Sequence, residues 1–167
     1  IHELRRVNRD WVRLSYETSG GSLGGDFDYG VARLDARGYW KLSPEQFLSA
    51  RVLAGKEVRG ELPVQKELYA GGISTLRAHS YKAFRGDRLL LLNVEYAVDL
   101  FRSFQGLVFT DAGRAWYHAE SPNGPRMPVD VGLGMQTRDE RLRLFFGKDA
   151  REASSPLFVT LRTQASF

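Results

Sequence analysis

The sequence predicts an all-β chain, a transmembrane antiparallel β-barrel of about eight strands. Three observations predict it. Apolar and polar residues alternate with a period of two over stretches that often reach about ten residues, the length of a membrane strand. The connections alternate long and short, as in a barrel with long loops on one side of the membrane and tight turns on the other. The face opposite the apolar one is charged, with Arg13, Arg33, Asp35, Arg51, Glu95 and Asp111 among its residues. A soluble antiparallel sandwich also alternates, with its charged face outward. Strand length favours the membrane. So do Trp40, Tyr96, Trp116 and Phe167, which fall near strand ends where aromatic girdles sit.

The first strand is read over residues 11–17, with Val12, Leu14 and Tyr16 on one face and Arg13, Ser15 and Glu17 on the other. The glycine-rich "TSGGSLGGD" follows as a loop. Residues 27–42 alternate again, with Arg33, Asp35 and Arg37 opposite Ala32, Leu34, Ala36 and Trp40. The short turn "SPEQ" leads to a strand over residues 47–56. A long segment, 57–87, comes next. After it, Leu90, Leu92, Val94, Tyr96, Val98 and Leu100 form one apolar face, and Asn93, Glu95, Ala97 and Asp99 form the other. "RSFQ" turns the chain into residues 107–116, where Leu107, Phe109, Asp111 and Gly113 share a face. A longer loop precedes Val129, Val131, Leu133 and Met135. "TRDE" turns into Leu142, Leu144 and Phe146. "KDAREASSP" is read as the last loop, and the final strand runs to Phe167. An even strand count puts both ends of this domain, residues 1–167, on the short-turn side.

Composition excludes several classes. The chain has 167 residues and no cysteine, so disulfides, thiol chemistry and Cys-based zinc sites are ruled out. The net charge of +4 comes from 24 basic and 20 acidic residues that are interspersed, which gives no nucleic-acid footprint. No run approaches 18 apolar residues, so there is no transmembrane helix.

The stretch from Glu67 to Trp116 organises the rest. The segment 57–87 is too long for a turn, and long loops without structure of their own are usually functional or disordered. It carries a lone arginine, Arg77. Asp111 lies inside an otherwise apolar strand, where a carboxylate is costly unless paired or wetted. These two residues are expected to belong to one site.

Other motifs carry less. "GGSLG", around Ser22, fits G-x-S-x-G, but a nucleophile elbow needs a helix after it and here a strand follows. His2, His79 and His118 lack metal-ligand spacing, so no metal is expected. Gly132 and Gly134 lie in a strand, where they are expected to ease bending or a close approach by the long loop. No catalytic constellation is present, and the chain is expected not to be an enzyme and to need no cofactor.

"GGISTLRAHSYKAFRGD", F-x-D-x-G at Phe109, Asp111 and Gly113, and the ending "LFVTLRTQASF" together resemble the outer-membrane assembly and secretion barrels, the bacterial surface antigen superfamily. In that family a long loop folds back into the lumen after a Gly-Gly pair. Its tip reads aliphatic-Arg-Gly-aromatic. Gly71 and Gly72 match the pair, Arg77 matches the arginine, and Arg85, Gly86 and Asp87 fit downstream. Ala78 stands where the family has glycine, and His79 where it has an aromatic. The terminal Phe167 is similar to the signal residue that ends outer-membrane strands. The resemblance covers the chain only as the C-terminal half of the usual sixteen-stranded barrel, without N-terminal strands or periplasmic POTRA domains.

The resemblance implies a bacterial outer-membrane protein that inserts or translocates polypeptides, working in a lipid bilayer on client chains. Passive structural or pore roles, or an anchor for a separate domain, are the alternatives. Arginine's planar fork suits a bidentate pair with a carboxylate, so Arg77 is expected to meet Asp111, or else Glu95 or Asp99, on the lumen wall. Gly113 would leave room for the approach. An eight-stranded barrel has an interior just wide enough for side chains. The plug and a small closed barrel therefore conflict. The expected resolution is a barrel of about sixteen strands, made with a second copy or with an N-terminal half. The remaining alternative is a small closed barrel with the segment outside.

Overall fold

The computed structural model describes residues 10–20 and 27–163. Eight strands form one antiparallel sheet: β1 (Trp11–Ser19), β2 (Tyr29–Ser43), β3 (Gln46–Gly60), β6 (Arg88–Asp99), β7 (Phe104–Trp116), β8 (Val129–Thr137), β9 (Leu142–Asp149) and β10 (Phe158–Thr163). Two short strands, β4 (Leu68–Ala70) and β5 (Phe84–Gly86), pair with each other inside the long segment. The large sheet runs β1-β2-β3-β6-β7-β8-β9-β10. Every large-sheet strand therefore pairs with the next one along the chain, apart from the β4–β5 insertion.

The two faces of this sheet differ as lipid and lumen do. Leu14, Leu92, Val108, Leu133 and Val159 lie exposed on one side, as do most of their apolar neighbours. Asp35, Arg51, Glu95, Asp111 and Arg143 lie at least partly buried on the other. A soluble sandwich has the opposite polarity, so the alternation reads as an inside-out barrel wall. The wall curls. Arg37 of β2, Arg51 of β3, Arg143 of β9 and Arg162 of β10 line one cavity of about 450 Å³. Among the described residues β1 and β10 are both edges and do not pair, so the sheet is open. The small closed barrel is thereby set aside in favour of a half-barrel.

The core lies between this wall and the long segment. Leu68, Ala70 and Leu76 of the segment pack against Val31, Leu89, Leu91 and Ala115 of the wall. A second cluster joins Ala97, Leu107, Phe109 and Phe145, with Ile73 packed on it. The segment is thus held inside, as a plug.

Three sequence expectations are corrected. β3 continues through Gly60, because Val31 pairs with Glu57 and Tyr29 with Gly60. The plug therefore begins later than residue 57. It is not structureless: a 3-10 turn at Val64–Lys66 precedes the β4–β5 pair. Strands of three residues are too short to display a period of two, so alternation does not reveal them. Finally, Asp149 closes β9 and is not a residue of the last loop.

Candidate functional site

The plug tip is a compact loop. Gly71 and Gly72 both adopt positive φ, +115° and +96°. A side chain at Gly71 would also strike the Ser80 carbonyl at 2.3 Å. The Gly71 amide donates to Thr75 Oγ1 at 2.9 Å, and the Gly72 amide donates to the carbonyls of Leu76 and His79. The chain thus turns back on itself at Gly-Gly and presents residues 74–79 to the wall. At the base of the plug, a Cβ on Gly86 would lie 2.0 Å from the Trp116 carbonyl. Only glycine lets β5 lie this close to β7.

Consecutive tip residues then bond to successive strands. Arg51 of β3 donates to the Ser74 carbonyl at 2.9 Å. Asn93 of β6 donates to the Thr75 carbonyl at 2.6 Å and to Asp111 at 2.8 Å. Arg77 grips Asp111 of β7 through two parallel bonds, Nε to Oδ2 and Nη2 to Oδ1, both 2.8 Å. Its Nη1 reaches Glu95 of β6 at 2.6 Å. The Ala78 amide donates to Asp130 of β8 at 2.7 Å. His79 stands between Asp130 and Asp149, with Nδ1 3.1 Å from one and Nε2 3.8 Å from the other.

The Arg77 pair is dry and compensated. Its side chain is 7% exposed and that of Asp111 is 0%. The guanidinium lies 3.7 Å from the ring centre of Phe109 and 5.1 Å from that of Phe145. The two rings meet edge-to-face at 5.7 Å. Cation–π contacts strengthen when desolvated. Gly132 is what admits the Phe109 ring, since a Cβ there would lie 2.4 Å from it. The second carboxylate, Glu95, is shared with Arg143 at 2.8 and 3.0 Å. Gly113, at φ +143°, lets β6 pass close by: its Cβ would meet the Leu90 carbonyl at 2.1 Å.

The structure thus brings together Gly71, Gly72, Arg77, His79, Glu95 and Asp111, with Gly86 and Gly113 serving close approaches. It does not bring in Asp99. That residue lies at the short-turn end of β6, bonded to Gln105 at 2.6 Å and to Arg138 at 2.9 Å. Sharing a face with Glu95 did not suffice, because it sits four residues further along the strand. Phe167, Ser22 and His2 lie outside the described residues.

Sequence reading missed Arg51, Asn93, Asp130, Asp149 and Phe145 as partners of the tip. It placed His79 in the plug motif but set it aside as a metal ligand for want of ligand spacing. The three groups of His79, Asp130 and Asp149 come from three separate elements, yet their candidate ligand atoms all lie within 4.8 Å of one another. The Asp130 carboxylate beside His79 raises its pKa above the ordinary imidazole value. At the plug's base the Tyr117 hydroxyl donates to Glu67 at 2.5 Å, and this carboxylate pushes the phenol up to about 12.

Comparison with known proteins agrees with this architecture. The family model for the Omp85 superfamily domain matches residues 10–148. No curated protein matches. A solved structure, BamA from Haemophilus ducreyi lacking POTRA domains 1-3, superposes with a TM-score of 0.72 at 15% identity. The match covers 94% of this chain and 39% of that one, so the chain spans well under half of the BamA chain's length. At this identity the likeness speaks for the fold: an open, BamA-like run of barrel strands with a plug on its inner side. With the family model matching most of its length, the chain belongs to the Omp85 superfamily.

Proposed function

We propose that this chain acts in the bacterial outer membrane as a barrel segment that inserts or translocates polypeptides, without bond chemistry. The observation that carries the reading is the plug tip, hydrogen-bonded to the inner wall of a sheet whose edges, β1 and β10, are unpaired among the described residues. Unpaired strand edges offer backbone groups that another strand can take up. A plug fixed at mid-wall holds the lumen side in shape while an edge exchanges partners. In lipid an open edge is costly. The remaining strands of the barrel, from an N-terminal half or a second copy, are therefore part of the working assembly, and a client strand would pair at the seam.

The test is reconstitution in liposomes. The expected result is a raised folding rate of an unrelated outer-membrane barrel, and a fall in that rate for Arg77→Ala. Ion conductance without any effect on folding would instead favour a passive barrel. Ala78 and His79, where the family has glycine and an aromatic, are the observation on that side.

A further inference from the structure

Asp130 and Asp149 are buried carboxylates, with side chains 0% and 8% exposed. Among the described residues neither forms an ion pair with a lysine or arginine, and their shared basic neighbour is His79. Each carboxylate is oriented by a backbone amide through one of its oxygens. Asp130 Oδ2 accepts from the Ala78 amide at 2.7 Å, and Asp149 Oδ1 from the Arg151 amide at 2.8 Å. The other oxygen of Asp149 faces the imidazole, and both oxygens of Asp130 do: His79 Nδ1 also meets Oδ2 at 3.4 Å. Asp130 Oδ1 is buried and makes no hydrogen bond, although His79 Nδ1 lies 3.1 Å from it.

We propose that His79, Asp130 and Asp149 bind a divalent transition-metal cation such as Zn²⁺, which fastens the plug tip to β8 and β9. One imidazole nitrogen and two carboxylate oxygens are a donor set suited to such ions. Zinc bonded at 2.0–2.2 Å holds its donors roughly 3.4 Å apart. The donors here already lie within 4.8 Å of one another, so side-chain rotation closes the set. Charge points the same way. An imidazolium offers one positive charge to two buried carboxylates, whereas a divalent cation offers two. The amides that hold the outer oxygens act as the orienting partners that ligating carboxylates need. His79 is 17% exposed, which leaves a route in for the ion. Nothing in this site depends on whether the barrel inserts, translocates or merely spans.

The test uses the full chain folded in detergent micelles. Zn²⁺ is titrated by calorimetry, and Co²⁺ is followed by its ligand-field absorption. The expected result is one saturable Zn²⁺ per chain. The affinity should fall at least about tenfold in His79→Phe and in Asp149→Asn, and stay unchanged in His118→Ala. His79→Phe retains the packing on Phe84, whose ring centre is 5.0 Å away. If that variant does not fold, Asp149→Asn decides alone. Absence of saturable binding, or binding that survives Asp149→Asn, would overturn the site and leave a proton on His79 as the only occupant.

Discussion

Arg77 and His79 lie two residues apart on one loop, and they meet the same wall in opposite ways. Arg77 has a fixed charge, a bidentate acid, a second acid and an aromatic face beneath it. His79 has a variable charge and two acids that no lysine or arginine offsets among the described residues. The first anchor is complete within the protein. The second depends on what the solvent supplies, a proton or a cation. A single loop can thus combine a permanent fastening with a conditional one.

The sharpest way to break this comparison is to remove the permanent anchor. Losing one partner of a buried pair leaves an uncompensated charge and costs about 3–5 kcal/mol. Arg77→Ala and Asp111→Ala should each show this in urea unfolding, and the double variant should cost less than the two singles together. Strict additivity would mean that the pair does not interact. Arg77→Lys is the next step down. It keeps the charge but loses the fork, and should cost about 1.5–3 kcal/mol, the value of a hydrogen bond to a charged group.

His79→Phe tests the conditional anchor. In metal-free buffer at pH 6 it should cost about 1–3 kcal/mol, the penalty for leaving a buried acceptor without its partner. The pKa of His79 is raised in the folded chain. Its protonated form therefore stabilises the docked plug below about pH 6.5, the ordinary imidazole value, and this contribution disappears as pH rises through the folded pKa. The gap between wild type and His79→Phe should shrink over that window, while the Arg77→Ala gap stays constant. Parallel pH profiles would erase the distinction between the anchors.

The smallest effect belongs to the plug's base. Tyr117→Phe removes the bond to Glu67 and should cost about 0.5–1.5 kcal/mol. It should also abolish a tyrosinate transition near pH 12, the value to which Glu67 raises the phenol. Because this pKa is raised, the bond's contribution is present below about pH 10, the ordinary phenol value, and fades above it.

The strands were legible because one face meets lipid and the other does not, which writes a period of two into residues such as 90–100. Arg77 and Asp111 were legible because each breaks its local pattern: a charge in an apolar strand, an arginine in a long loop. Asp130 and Arg143 are two more charges on the face opposite the apolar one. Nothing local marks which of them meets the plug, since that depends on how far along its strand each residue sits. Asp99 shows the same limit from the other side. The neighbours of His79 were hidden because ligand spacing reads sites built on one or two elements, whereas Asp130 and Asp149 reach it from two other strands. β4 and β5 were hidden because pairing over three residues leaves no periodic trace.

The tip's course across β3, β6, β7 and β8 has a mechanical consequence. A strap stitched transversely to four neighbouring strands resists any change in the curvature of the panel beneath it. Bending that panel must stretch bonds of 2.6 to 2.9 Å at Ser74, Thr75, Arg77 and Ala78 simultaneously. Among the described residues β1, β2, β9 and β10 receive none of these stitches, and β1 is tied to the plug only near one end, where Lys66 donates to Glu17. Compliance is therefore displaced to the margins of the sheet, and amide exchange there should outpace that of β7 even where the strands are equally apolar. A stiff centre with pliant borders is how a curved plate keeps its shape while its rim gives way.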